Sequence, residues 1–243
     1  MRFIITKNYQ ELSQKAADLV IKQIKQKPNS VLGLATGSTP LGLYQNLVKV
    51  YKQGSIDFKK ITTFNLDEYY GLAPTDKQSY HYFMWHNLFS KININPKNIF
   101  IPDGLIKKNQ LKIYCQNYER EIKKHGGIDL QILGLGQNGH LGFNEPGFNF
   151  NSKTRLVNLT KTTISANSRF FNNKKIMPRQ AVTMGLKTIT QAKKIILLAS
   201  GENKAKVIAL AVKGQVTAKV PASILQKHKN TTFILDQKAV SLL

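Results

Sequence analysis

Acidic residues are scarce in this chain of 243 residues: Asp and Glu number 13 against 36 Lys and Arg, a formal net charge of +23. There is one cysteine, Cys115, so no internal disulfide can form. It falls in a helical-looking stretch, which makes it a buried structural thiol. No window approaches the roughly 20 consecutive apolar residues that a membrane-spanning helix needs. The opening Met1-Arg2-Phe3-Ile4-Ile5-Thr6-Lys7 turns polar too soon for a secretory signal, so a cytoplasmic location is expected. Histidines 81, 86, 125, 140 and 228 lack zinc-ligand spacing, and no carboxylate cluster suits magnesium, so no metal is expected. A Gly-x-Ser-x-Gly nucleophile elbow is missing too. Arginines are few, and the positive excess is mostly lysine scattered over helix faces, such as Lys22, Lys25, Lys49 and Lys52. Such a surface attracts polyanions without specificity, whereas dedicated nucleic-acid binders cluster charge and use Arg. No specific nucleic-acid partner is expected.

What is present is an alternation of short apolar runs with amphipathic stretches. Strands are predicted at Phe3–Ile5, Val31–Ala35, Ile61–Leu66, Asn98–Ile101, Ile128–Leu133, Lys194–Ala199 and Thr231–Leu235. Between them, helical periodicity marks Tyr9–Lys25, Pro40–Val50, Ser79–Phe89, Asn109–Lys124 and Gly201–Val212. That alternation predicts an α/β fold: a single-domain, Rossmann-like, mostly parallel sheet with helices on both faces, spanning 1–243. In such a sheet, ligands bind beyond the carboxyl ends of the strands.

Three strand ends carry candidate chemistry. After the first, Thr36-Gly37-Ser38-Thr39 leads into a helix opened by Pro40. Small and hydroxylated residues there fit either a capped turn or an anion site. Neither an ATP-type phosphate loop with its lysine nor Gly-x-Gly-x-x-Gly is matched. At the second, Asp67 and Glu68 are conspicuous in so acid-poor a chain. Neighbouring side chains at a strand end point apart, so one carboxylate can face a crevice as a base while the other is structural, the whole being followed by a polar loop. At the third, Gly134 to Gly147 is a Gly-rich loop carrying Asn138, His140 and Glu145. A lone His and Glu there fit a surface loop as well as an acid–base pair. Arg169 and Lys204 stand out as cations: Arg suits phosphate, and Lys204 in the first turn of a helix opposes the dipole unless an anion lies near.

Taken together, Leu34-Ala35-Thr36-Gly37-Ser38-Thr39-Pro40, Asn65-Leu66-Asp67-Glu68-Tyr69, Gly136 to Gly147 and Asn167-Ser168-Arg169-Phe170-Phe171 resemble glucosamine-6-phosphate deaminase along nearly the whole chain. The resemblance implies conversion of glucosamine 6-phosphate and water to fructose 6-phosphate and ammonia, with no cofactor or metal. It implies Asp67 as the base moving a proton between C2 and C1, and His140 as the ring-opening catalyst. Glu145 would orient His140, with Asn138 in the fourth position. Thr36, Gly37, Ser38, Thr39, Arg169 and Lys204 would clamp the phosphate. Some relatives carry Asp where this chain has Asn138, so more of the charge on this network falls to Glu145. Hexameric relatives are activated by an N-acetylated sugar phosphate. Only Arg155 fits their regulatory site here and the chain stops at Leu243, so weak or no activation is expected. The partner is a small sugar phosphate, and the assembly a monomer or homo-oligomer. Two alternatives are a sugar-phosphate lactonase or isomerase on the same fold, and a non-catalytic sugar-phosphate sensor.

Overall fold

The computed structural model describes residues 1–168, 171 and 177–243. Seven strands form a parallel sheet: β1 (Arg2–Thr6), β2 (Val31–Leu34), β3 (Thr62–Asn65), β5 (Ile99–Phe100), β6 (Leu130–Gly134), β9 (Ile195–Ala199) and β10 (Thr231–Asp236). Their spatial order is β1-β10-β9-β6-β2-β3-β5, every pair parallel. The expected parallel sheet is therefore present, with each apolar run a strand of it.

Why those runs read as continuously apolar follows from the layers. Successive residues enter different cores, Ile132 one and Leu133 the other, as do Ile196 and Leu197. On one face pack α1 (Tyr9–Gln26), α2 (Leu41–Lys52) and α3 (Tyr80–Asn87), through residues such as Leu12, Ala16, Leu43 and Met84. On the other lie α4 (Leu111–Lys124), α6 (Leu186–Thr190) and α7 (Ala205–Lys213), through Tyr118, Ile189 and Ile208. Strands buried on both faces need this uniform apolar pattern. Cys115 of α4 is buried, as a structural thiol should be. At the amino ends of the strands, buried Asp129 accepts from Lys27 Nζ at 2.6 Å, Lys193 Nζ at 2.8 Å and the Val31 amide at 2.8 Å. It fastens β2 to the start of β6, opposite the strand ends that carry the candidate site.

A second, antiparallel sheet departs from expectation. It consists of β4 (Asp67–Tyr69), β8 (Gln180–Thr183) and β7 (Arg155–Asn158), in the order β4-β8-β7. Residues 67–69 are thus a strand and not the start of a polar loop, because β8 gives them a backbone partner. The short helix α5 (Lys161–Asn167) follows β7. The helix expected at 201–212 also differs: a single 3-10 turn occupies Glu202–Lys204, and α7 starts at Ala205. No helix among the described residues is long and apolar enough to cross a membrane.

Candidate active site

The carboxyl ends of β2, β3 and β6 lie side by side, and their loops enclose a cavity of about 360 Å³. Thr36, Gly37, Ser38 and Thr39 line it from one loop, Asp67 from the second, and Asn138 and His140 from the third. Lys204 reaches it from the start of α7. Seven sequence-predicted residues are therefore brought to one space together with that lysine. Glu145 lies behind the lining, 1% exposed. Arg169 lies outside the described residues.

Asp67 and Glu68 separate as alternate residues of a strand must. Glu68 turns inward and accepts three backbone N–H groups, from Tyr69, Tyr80 and His81, each at 2.8 Å. Two of those donors open α3, so Glu68 closes the exposed amides of a helix start. Burial pushes its carboxyl up, to about 7, against those three bonds. Glu68→Ala leaves three donors without an acceptor, and stability should drop by about 2 kcal/mol or more. A urea midpoint unchanged from the wild type would contradict that structural role.

Asp67 has the opposite environment. It is 5% exposed, and no hydrogen bond reaches its carboxylate among the described residues. Burial, with a smaller repulsion from Glu68, raises its pKa to about 8. A carboxylate stripped of water and of donors is a strong proton acceptor. It is backed by the Gly-rich loop: a Cβ on Gly142, whose φ is +59°, would lie 3.1 Å from Asp67 Oδ2 and 3.0 Å from Thr183 Oγ1. Glycine at 142 thus serves both the left-handed turn and the close approach to Asp67.

The third loop holds a directional network. Asn138 Nδ2 donates to Glu145 Oε2 at 2.7 Å, while Asn138 Oδ1 is 2.7 Å from His140 Nδ1. A carboxylate only accepts, so the amide must turn its NH2 to Glu145 and its oxygen to the imidazole. That oxygen also only accepts, which places a proton on His140 Nδ1 and leaves Nε2 as the basic nitrogen. Glu145 Oε2 is itself 3.5 Å from Nδ1. Burial pushes the Glu145 carboxyl up, but the bonds from His140, Thr163 and Asn138 outweigh it and hold the pKa down, to about 2. The carboxyl groups of Asp67 and Glu145 thus have opposed proton affinities, the arrangement expected where one exchanges protons and the other stays charged.

At the other end of the cavity, the amides of Gly37, Ser38 and Thr39 donate to no partner among the described residues. They precede the first turn of α2, beside three hydroxyl-bearing side chains. Lys204 Nζ donates to the Leu135 carbonyl at 2.7 Å, which holds the ammonium over the same space. Free amides, hydroxyls and a lysine make an anion site suited to a phosphate. Among the described residues no cluster of three or more His, Cys, Asp or Glu is placed to hold a metal.

Several contributors were not anticipated. Tyr80, Thr162, Thr163 and Asn167 also line the cavity, the last three from α5. Tyr80 stacks on Phe143, ring centroids 6.0 Å apart. Tyr9 of α1 pins the Thr36–Thr39 loop: its hydroxyl accepts from the Gly42 amide at 2.9 Å and lies 2.9 Å from the Ser38 carbonyl. Single tyrosines and threonines carry no pattern in the sequence, and only the fold assembles them. Arg155 lines a different groove, beside α4 and α6, where its guanidinium stacks over Phe148 at 4.6 Å.

The family model for glucosamine-6-phosphate isomerases/6-phosphogluconolactonase matches residues 7–234. A glucosamine-6-phosphate deaminase from Thermoanaerobacter sp. (strain X514) is 58% identical over all of this chain and 95% of its own length. One from Halothermothrix orenii is 56% identical, covering both chains fully. Among solved structures, a monomeric glucosamine-6-phosphate deaminase superimposes with a TM-score of 0.97 at 42% identity over the full length of both chains. A 6-phosphogluconolactonase from Trypanosoma brucei, at 20% identity and a TM-score of 0.80, shares the fold. With its sheet, its loops and its sequence all matching, the chain belongs to the glucosamine-6-phosphate isomerase/6-phosphogluconolactonase family.

Proposed function

We propose that this protein is an enzyme that converts glucosamine 6-phosphate and water to fructose 6-phosphate and ammonia. The observation that carries this reading is the pairing, in one cavity, of a buried carboxylate that no described residue hydrogen-bonds with a tautomer-fixed imidazole, beside an anion loop. A cavity of about 360 Å³ suits a hexose phosphate, being at the small end of typical ligand pockets, roughly 300–1,000 Å³.

The substrate phosphate sits on the Thr36–Thr39 loop with Lys204. That end takes no part in bond changes, so its binding energy is available to position the reacting carbons. His140 Nε2 takes the proton of the C1 hydroxyl and returns it to the ring oxygen, opening the pyranose to the aldehyde. Asp67 then removes the C2 proton while O1 takes one proton from the amino group, giving an enolamine, and Asp67 delivers its proton to C1, leaving an imine at C2. Water adds to that carbon and ammonia departs, so the electrons lost at C2 are those gained at C1 and no external redox partner enters. Asn138 and Glu145 hold His140 in the tautomer this requires. The solved relative noted above, 42% identical over its full length, is monomeric, which supports a monomer acting on a small sugar phosphate.

The direct test supplies glucosamine 6-phosphate with a chelator and follows fructose 6-phosphate and ammonia together. Equal release of both is expected. Hydrolysis of 6-phosphogluconolactone without release of ammonia from the amino sugar would move the protein to the lactonase side of its family. Binding of sugar phosphate with no turnover of either would make it a sensor.

A further inference from the structure

Glu145 is buried, yet all donors found on its carboxylate among the described residues are side chains. Asn138 occupies Oε2. Oε1 accepts from Thr160 Oγ1 at 3.0 Å and from Thr163 Oγ1, both at the start of α5. We propose that Thr163, assisted by Thr160, is a positioning residue that orients Glu145 from α5 and through it fixes the tautomer of His140. The inference rests on the functional reading above, and extends it from the loop to the helix that walls the cavity.

Helix capping alone does not account for these hydroxyls. Thr160 is the N-cap of α5 and accepts the Thr163 amide at 3.3 Å, which satisfies the ordinary requirement of a helix start. The Thr163 hydroxyl is not needed for that cap. It is turned onto the Glu145 carboxylate, with the residue 3% exposed. The protons also count correctly. Thr160 gives its single proton to Glu145, and its oxygen accepts the Thr163 amide and the Thr162 hydroxyl, 2.8 Å away. Thr163 gives its own proton to the same carboxylate oxygen. Glu145 therefore has Oε1 held by α5 and Oε2 left to fix the Asn138 amide, which in turn accepts from His140 Nδ1. Without the hydroxyls the carboxylate is free to rotate, and the amide that reads His140 loses its fixed orientation.

The far end of α5 meets the other reactive element. Asn167 Nδ2 donates to the Tyr69 hydroxyl at 3.0 Å, and Tyr69 belongs to β4, the strand that carries Asp67. One short helix thus contacts the supports of both proton-handling groups. Among the described residues no hydrogen bond joins Thr163 or Thr160 to the His140 ring or to Asp67, so they act through Glu145.

The test compares Thr163→Val, which keeps the shape and removes the hydroxyl, with Thr163→Ser, which restores it. Thr163→Val should lower kcat for glucosamine 6-phosphate about 10-fold to 100-fold with KM changed less than about 3-fold, and Thr163→Ser should recover most of kcat; the range is that of outer-shell partners of a functional histidine. A second readout does not depend on turnover. The ¹⁵N shifts of the His140 ring should show the Nδ1–H tautomer losing ground in Thr163→Val and regaining it in Thr163→Ser. If Thr163→Val does not fold, Thr163→Ala is the same deletion without the branched methyl and is read in both assays. A wild-type protein without turnover, but with tautomer shifts as stated, sinks the functional reading and keeps the positioning role. Wild-type turnover with unchanged kcat and unchanged ring shifts in the hydroxyl-free variant overturns the positioning role alone. Equal losses in Val and Ser would also overturn it, since a packing role does not distinguish the hydroxyl.

Discussion

Asp67→Asn lowers turnover of glucosamine 6-phosphate by about 10³ or more, while sugar-phosphate binding stays within a few-fold of the wild type; the factor is that of a lost general base, roughly 10² to 10⁴. The substitution keeps size and burial and removes only the ability to take a proton. No hydrogen bond holds Asp67 in place among the described residues, so the amide breaks no network. The anion loop and Lys204 are untouched, which is why binding should persist. Comparable loss of binding and turnover, measured by calorimetry alongside initial rates, would contradict the assignment. The pH dependence gives an independent check. Burial raises the Asp67 pKa to about 8, and the base must be ionised, so wild-type kcat/KM should climb with pH and level off above about 8. The residual activity of the variant should lack that limb. Stability runs the opposite way with pH. A carboxyl raised in the folded state favours folding fully below its unfolded value, near 4, and that contribution is lost as pH rises through about 8. Asp67→Asn should therefore gain in urea midpoint over the wild type between about pH 4 and pH 8, because the amide has no charge to desolvate.

The parallel sheet was readable because its strands are buried on both faces, which writes an uninterrupted apolar run into the sequence for each. The second sheet carried no such mark. β7 is Arg155-Leu156-Val157-Asn158 and β8 is Gln180-Ala181-Val182-Thr183, each too short and too polar at its ends to stand out. β4 hid for a different reason. Two adjacent carboxylates look solvated, and only the fold shows Glu68 closing a helix start and Asp67 without a donor among the described residues. The site divides along the same line. Residues with chemistry in a conspicuous setting were legible: Asp67 among few acids, and Asn138, His140 and Glu145 on a run of glycines. Thr163 was not, since nothing in a threonine's local sequence says that its hydroxyl meets a carboxylate 18 residues away. Lys204 lines the cavity from the cap of α7 after a 3-10 turn, not from the first turn of a helix, and the Leu135 carbonyl holds its ammonium.

Gly136→Ala should lower kcat/KM by about 10² or more although it adds one methyl group and barely alters the backbone; a misplacement of about 1 Å at a reacting group is enough for a loss of that size. A Cβ at 136 would fall 2.2 Å from His140 Cε1 and 2.3 Å from both Nδ1 and Nε2. The contact is with the ring itself, so the imidazole must move as a body. Moving it pulls Nδ1 from Asn138 Oδ1, and with that bond goes the tautomer that leaves Nε2 basic. Backbone strain is not the cause, because Gly136 is not among the glycines with positive φ. Gly37 supplies the contrast: its φ is +96° and a Cβ there meets nothing within 4 Å, so alanine at 37 would act through the backbone of the anion loop and appear in KM. The decisive comparison places Gly136→Ala in a His140→Ala background. With no ring to displace, the methyl group should cost nothing further, and the two losses should be strongly non-additive. Independent, multiplying losses would show that Gly136 serves the loop and not the imidazole.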